Sequence, residues 1–331
     1  MINFYLEGVL NLENKSFLTS TWFVALGASL CCLLWGSAYP CIKIGYELFN
    51  IEANDLSGKF LFAGFRFTLA GLLVLLIALL TKKNLTSFSR KTWGQVFIFG
   101  VTQTTLQYIF FYLGLAYSSG VRSSILNGTG AFFSILIAHF IYKNEKLGFS
   151  KALGCIIGFL GIVLINLDDS GTLFSAFSLK GDGSVILAAF ILSAASIYGK
   201  RITQHQDTFV VTGYQLTIGG FILVLLGILL GGSIGPFTLT SLGLLLYMAA
   251  LSAVAFSLWA VLLKYNSVGK VAIYNCLTPI FGAFLSAIFL GETIFEFKNI
   301  IALILVCLGI FIVNRTFTPH KSSASKQATP L

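Results

Sequence analysis

Apolar side chains fill this chain in ten long runs, and polar residues gather in the short stretches between them. The runs cover residues 22–46, 60–80, 94–116, 123–142, 151–167, 183–199, 209–230, 239–263, 271–291 and 297–314. Most are about 20 residues long, enough for a helix to cross a hydrocarbon core of ~30 Å. They are continuously apolar and show no period of two. That favours helices over the alternating strands of a membrane barrel. The pattern therefore predicts an all-α membrane protein with ten transmembrane helices.

Composition agrees with the pattern. Of 331 residues only 10% are charged and 56% are hydrophobic, including 32 Phe; mean hydropathy is +0.90. A soluble domain carries about a quarter charged residues. A soluble enzyme, a disordered hub and a nucleic-acid module are excluded. The net charge of +9 reports topology, because the basic residues sit between the spans. With the N-terminus placed in the cytoplasm, fifteen of the 21 Lys and Arg fall on the cytoplasmic side. Four (Lys59, Arg122, Lys180 and Lys298) fall on the other, while Lys43 and Arg66 lie within spans. Ten spans with both termini in the cytoplasm are expected from this bias. Residues 1–21 contain Glu7, Glu13 and a single Lys15, with no basic leader, so the first span is expected to be retained. All six Cys lie inside apolar runs, no C-x-x-C occurs and only three His are present. Neither a disulfide framework nor a metal site is expected, and no cofactor.

The two halves of the chain resemble each other. LGIVLIN at 160–166 matches LGIFIVN at 308–314, and GFRFTLAG at 64–71 matches GYQLTIGG at 213–220. Tyr117 matches Tyr265, Arg122 matches Lys270, Asn127 matches Asn275 and Glu145 matches Glu292, all at an offset near 148. Five spans per half invert the second copy relative to the first. Two inverted copies can exchange conformations, opening first to one side and then to the other, with a substrate site near the midplane between them.

Further residues carry a family resemblance. The first span holds Leu34-Trp35-Gly36-Ser37-Ala38-Tyr39-Pro40 followed by Lys43, the second has Arg66 near Ala70-Gly71, and the ninth has Pro279 followed by Gly291-Glu292. The chain resembles the EamA-type branch of the drug/metabolite transporter superfamily over about 22–315. The resemblance implies two five-helix repeats, here 22–167 and 183–315, between a cytoplasmic segment 1–21 and a cytoplasmic tail 316–331. It also implies a central cavity and carriage of small metabolites, often export of amino acids or related compounds. One position departs from the pattern. Where the second half has Pro279, the first has Phe132 within Gly128-Thr129-Gly130-Ala131-Phe132.

Polar groups inside apolar helices need a partner or a cavity. Arg66 lies about six residues, roughly 9 Å, into its span. It either faces the cavity and attracts a carboxylate or phosphate, or it snorkels or fixes a neighbouring helix. Its repeat mate is the neutral Gln215. Gln103 and Gln107, four apart, share a helical face that lines a wet cavity or makes interhelical bonds. Tyr112 lies on the same helix. Asn127 and Asn275 mark a site, a pair of gates or pinned helices. Trp35, Tyr39, Tyr214 and Trp259 supply aromatic wall or packing. Pro40 is expected to kink the first helix, and Pro40, Lys43 and Pro279 are candidate gating positions. No Asp or Glu lies at the centre of a span, so uniport or exchange fits better than direct proton coupling at the midplane.

These features predict a carrier, not an enzyme, that moves a small-molecule substrate across the cytoplasmic membrane by alternating access, in the export direction. The alternative is a channel or receptor-like membrane protein. Its partners are the substrate and the lipid bilayer, with no nucleic acid. The oligomeric state stays open.

Overall fold

The computed structural model describes residues 16–141, 147–165, 177–235, 237–266, 268–293 and 296–315. Residues 1–15, Glu145, Asn166 and the tail 316–331 lie outside them. Ten helical segments cover the described residues, with no strand among them. They are α1 Thr21–Leu48, α2 Leu56–Leu80, α3 Arg90–Tyr117, α4 Gly120–Ile141, α5 Phe149–Ile165, α6 Leu179–Thr203, α7 Thr208–Leu229, α8 Leu239–Tyr265, α9 Lys270–Leu290 and α10 Phe297–Arg315. Eight are long and apolar enough to cross a membrane, and α5 and α10 are shorter apolar helices. Every predicted span has its helix.

The helices begin where side chains can replace missing backbone partners. Ser20, Asp55, Ser89, Ser119, Asp207 and Thr238 accept hydrogen bonds from first-turn amides of α1, α2, α3, α4, α7 and α8. Several starts come earlier than the apolar runs predict, those of α2, α3 and α6 by a full turn. In α2 the helix begins at Leu56 and takes in Lys59, which the sequence places in a connection. Lys59 is fully buried because its ammonium donates to the carbonyl oxygens of Glu52, Ala53 and Asp55 at 2.7, 2.7 and 3.0 Å. In α6 a π-helical turn, Leu179–Gly183, precedes the expected start at 183. α1 stays helical through Pro40, which is buried.

The helices pack as two inverted sets of five. Repeat mates meet across the centre, α2 on α7, α4 on α9 and α5 on α10. The other contacts come in mated pairs. α1 packs on α8 as α6 packs on α3, α1 on α9 as α6 on α4, and α2 on α8 as α7 on α3. The α2–α7 contact is the most extensive. Gly64 and Gly71 of α2 are mates of Gly213 and Gly220 of α7. A Cβ on Gly71 would lie 2.4 Å from the Thr217 amide nitrogen, and one on Gly220 would lie 2.4 Å from that of Thr68. Small residues allow this backbone approach, which replaces the hydrophobic drive that lipid cannot supply. Leu72, Leu76, Leu79, Ile228 and Leu229 of the same two helices are exposed, as expected for a lipid-facing surface.

Gly71→Val is expected to lower the thermal stability of the purified protein by about 1–3 kcal/mol through overpacking. Gly94→Ala, inside a helix and where a Cβ meets nothing within 4 Å, should hold the melting temperature or raise it slightly. Thermal unfolding in detergent compares the two.

Candidate functional site

Arg66 points inward from α2 and is 1% exposed. Its Nε donates to Ser252 Oγ of α8 at 2.9 Å, and one terminal nitrogen donates to the Tyr112 hydroxyl of α3 at 3.1 Å. The guanidinium lies 4.7 Å from the Phe67 ring and 5.9 Å from the Tyr108 ring. Among the described residues no carboxylate pairs with it. A guanidinium has five N–H donors, so the protein holds the charge with neutral groups and leaves donor capacity over.

The mate of this arrangement lies in the other half. Thr104 Oγ1 of α3 donates to Gln215 Oε1 of α7 at 2.7 Å. Gln215 is the mate of Arg66, and Thr104 the mate of Ser252. Both pairs tie mated helices together, but only the first brings a charge. Gln215 is thus placed as an interhelical bond.

Aromatic rings connect Arg66 to α1 and α4. Tyr108 lies 5.9 Å from Phe111, and Phe111 lies 5.5 Å from Tyr39. Tyr39, 1% exposed, neighbours the Asn127 side chain. Asn127 ends the first of the two helical pieces of α4, Gly120–Asn127 and Thr129–Ile141, with Gly128 between them. Its mate Asn275 sits in a 3-10 turn, Ile273–Cys276, that interrupts α9. Interrupted helices at mated positions release backbone groups from the regular ladder. α3 carries its own irregularity, a π-helical turn over Val101–Leu106 that includes Gln103 and precedes Gln107. The side-chain oxygens of Gln103, Gln107 and Asn127 are buried without a hydrogen-bond partner, so three amide acceptors remain for water or a ligand. Trp35 packs edge-on against Trp259 at 5.1 Å and Phe256 at 5.8 Å, joining α1 to α8.

Tyr214 is placed elsewhere. Its hydroxyl donates to the Leu85 carbonyl, and its ring packs against Trp93 and Phe88. Asn275 is half-buried near Cys276 and Cys307 of the α9–α10 contact.

The ends of the bundle carry the charges that sequence reading left in connections. Asp182, 1% exposed, accepts two hydrogen bonds from Arg122, at 2.8 and 2.9 Å. It also accepts from Ser118 Oγ and the Ser178 amide, each at 2.9 Å. Arg122 further donates to the Ile165 carbonyl at 3.0 Å, so α4, α5 and α6 meet on one ion pair. On the same face Glu292, after α9, accepts from the Gly120 and Val121 amides of α4, both at 2.8 Å. Lys43 of α1 lies 3.6 Å from it. Pro279 is buried in α9, and Ser124 of α4 donates to its carbonyl at 3.3 Å. Ser252, Tyr108 and the role of Asp182 are absent from the sequence reading. The Thr104 match, at an offset of 148, is the signal that finds Ser252.

The EamA-like transporter family matches residues 22–167 and again residues 179–315. The chain belongs to that family. An uncharacterized transporter of Archaeoglobus fulgidus is 28% identical over 287 residues, covering 86% of this chain and 94% of that protein. The uncharacterized transporter YvbV of Bacillus subtilis is 27% identical over 314 residues, covering 91% and 94%. A WAT1-related chloroplastic protein of Arabidopsis thaliana is 24% identical over 288 residues, and this chain covers 66% of its length. A crystal structure at 19% identity shares the fold, with a TM-score of 0.64 over 88% of this chain and 96% of that one. In this EamA-like transporter no group of three or more His, Cys, Asp or Glu able to hold a metal occurs among the described residues.

Asp182→Asn leaves the partly exposed Arg122 guanidinium short of its counter-charge and should cost this transporter about 2 kcal/mol of stability. Lys83→Gln, at an ion pair with Asp207 that is open to solvent, should change it by less than ~1 kcal/mol. Thermal unfolding of the two variants reads the difference.

Proposed function

We propose that this transporter carries a small metabolite with an anionic group, an amino acid or related compound, by alternating access. Export across the cytoplasmic membrane is the direction, and both termini lie in the cytoplasm. The observation that carries the reading is Arg66, a buried cation whose protein partners are all neutral. A charge held in low dielectric without a counter-charge is costly, and a substrate carboxylate relieves that cost with charge-assisted hydrogen bonds. The orphaned oxygens of Gln103, Gln107 and Asn127 accept the substrate's own donors. Trp35, Tyr39 and Trp259 form the aromatic wall. Asn275 completes the site when the second repeat takes the posture of the first.

The packing of α4 against α9 supports a one-sided state. Gly120–Asn127 of α4 packs closely on Leu277–Leu290 of α9. Between the opposite halves, Thr129–Ile141 and the 268–276 segment, packing is sparse among the described residues. The former lies mainly on α6, with smaller contacts to α5 and α10, and the latter lies on α1 and α10. The Glu292 face is therefore closed and the other parted. With the basic connections in the cytoplasm, this is the inward-facing state. The repeats 22–167 and 183–315 are the halves that exchange postures, and Pro40, Lys43 and Pro279 lie along the closed α1–α4–α9 seam.

Counterflow in liposomes with labelled amino acids tests the reading. Arg66→Gln should weaken uptake of carboxylate substrates about tenfold or more and of neutral analogues much less. Equal loss for both would assign Arg66 to folding.

A further inference from the structure

The two ends of the α4–α9 crossing differ in one respect that packing alone does not require. At the closed end, the Glu292 carboxylate bridges both first-turn amides of α4, Gly120 and Val121, at 2.8 Å each. These amides have no partner within their own helix, and a carboxylate at a helix N-terminus is favoured by the helix dipole as well. Lys43 brings α1 to the same carboxylate at 3.6 Å. Glu292 thus holds three helices together at one point, and two of them, α4 and α9, are the helices whose opposite ends are parted. The contact beneath it is tight. A Cβ on Gly120 would lie 2.4 Å from Ser286 Oγ of α9, and one on Gly282 would lie 2.6 Å from the Ser124 side chain. Separation of α4 from α9 at this face cannot begin while the carboxylate spans them.

We propose that Glu292 is the latch of the Glu292 face: its carboxylate must leave the Gly120 and Val121 amides before the transporter opens there, and Lys43 is the cation that accompanies it. The proposal rests on the alternating-access reading and adds the residue that sets the balance between its two states. Glu292 is exposed only in part, with a side-chain exposure of 17%. Release transfers the carboxylate to water at the membrane surface and exposes two amides to the same water. Its cost is that of charge-assisted hydrogen bonds exchanged for solvent, small enough for a working equilibrium. Arg122 is not a competing partner, because Asp182 and the Ile165 carbonyl engage it. Glu292 is a positioning residue that touches no substrate.

Pairs of spin labels in lipid nanodiscs read both ends of the full-length protein, in a background where the six cysteines are replaced. Tyr117→Cys with Thr293→Cys reports the Glu292 face, and Trp22→Cys with Phe140→Cys the opposite face. In Glu292→Gln the ratio of states open at the Glu292 face to states closed there should rise about tenfold or more. The outer distance lengthens while the inner distance shortens. Lys43→Gln should shift the same way by less, and Glu292→Asp, whose shorter arm does not reach both amides, should resemble Glu292→Gln. Unchanged populations in all three variants overturn the latch. If the distances still exchange reciprocally in the parent, alternating access survives that result. Lengthening at the outer pair without shortening at the inner pair overturns the latch and counts against alternating access too, because it reports lost packing alone.

Discussion

The α2–α7 crossing is the contact on which the rest of this bundle is built. It lies where the two repeats meet as mates, and four glycines in two mated pairs bring the backbones so close that a Cβ added at Gly64, Gly71 or Gly220 would collide with main chain. In lipid the attraction between helices comes from close packing, not from expulsion of water. The distance set at this crossing fixes how far α3 and α8 stand from α7 and α2. It thereby brings Arg66 within 2.9 Å of Ser252, and Thr104 within 2.7 Å of Gln215. Those two mated bonds then hold the second layer of helices. The polar centre is a consequence of the glycine crossing.

Charge is distributed with a clear division. At the bundle's ends, charges are paired or satisfied by backbone: Arg122 with Asp182, Lys43 with Glu292, Lys59 with three carbonyl oxygens. At its centre Arg66 has neutral partners only. Had the protein needed this cation solely to join α2 to α8, a neutral side chain would serve, as Gln215 does for α7 and α3. The contrast between mates supports the proposed reading, in which Arg66 does more than hold helices together.

Much of the fold is legible in the sequence because lipid imposes one simple rule on it. Every span must be apolar and helical, so span number, order and inversion follow from run length and the offset of 148. The misplaced residues mark where that rule is relaxed. Lys59 and Arg122, counted on the minority side of the charge bias, serve as internal bonding groups of helix ends and say little about topology. Asp182 escapes notice because a π-helical turn, invisible to hydropathy, winds it into the helix start. The proposed site is partly legible. Arg66 and Asn127 stand out as polar groups in apolar runs. Ser252 and Tyr108 do not, since Ser and Tyr are ordinary in membrane helices, and their roles depend on which helix crosses which. Tyr214 packs its ring against Trp93, apart from the proposed site.

The unequal mates Arg66 and Gln215 bear on how the proposed cycle runs. A perfect inverted repeat would present the same binding surface to both compartments, and its two half-cycles would have equal rates. Here the conformations exchange between repeats, but the cation does not, since it belongs to α2 alone. The site met from one compartment is therefore chemically different from the site met from the other. Saturation, residence time and the slowest step then differ between forward and reverse operation. Detailed balance still leaves the direction of net flow to the gradients. What the asymmetry tunes is rectification: how quickly the carrier responds when a gradient of one sign appears, compared with a gradient of the other.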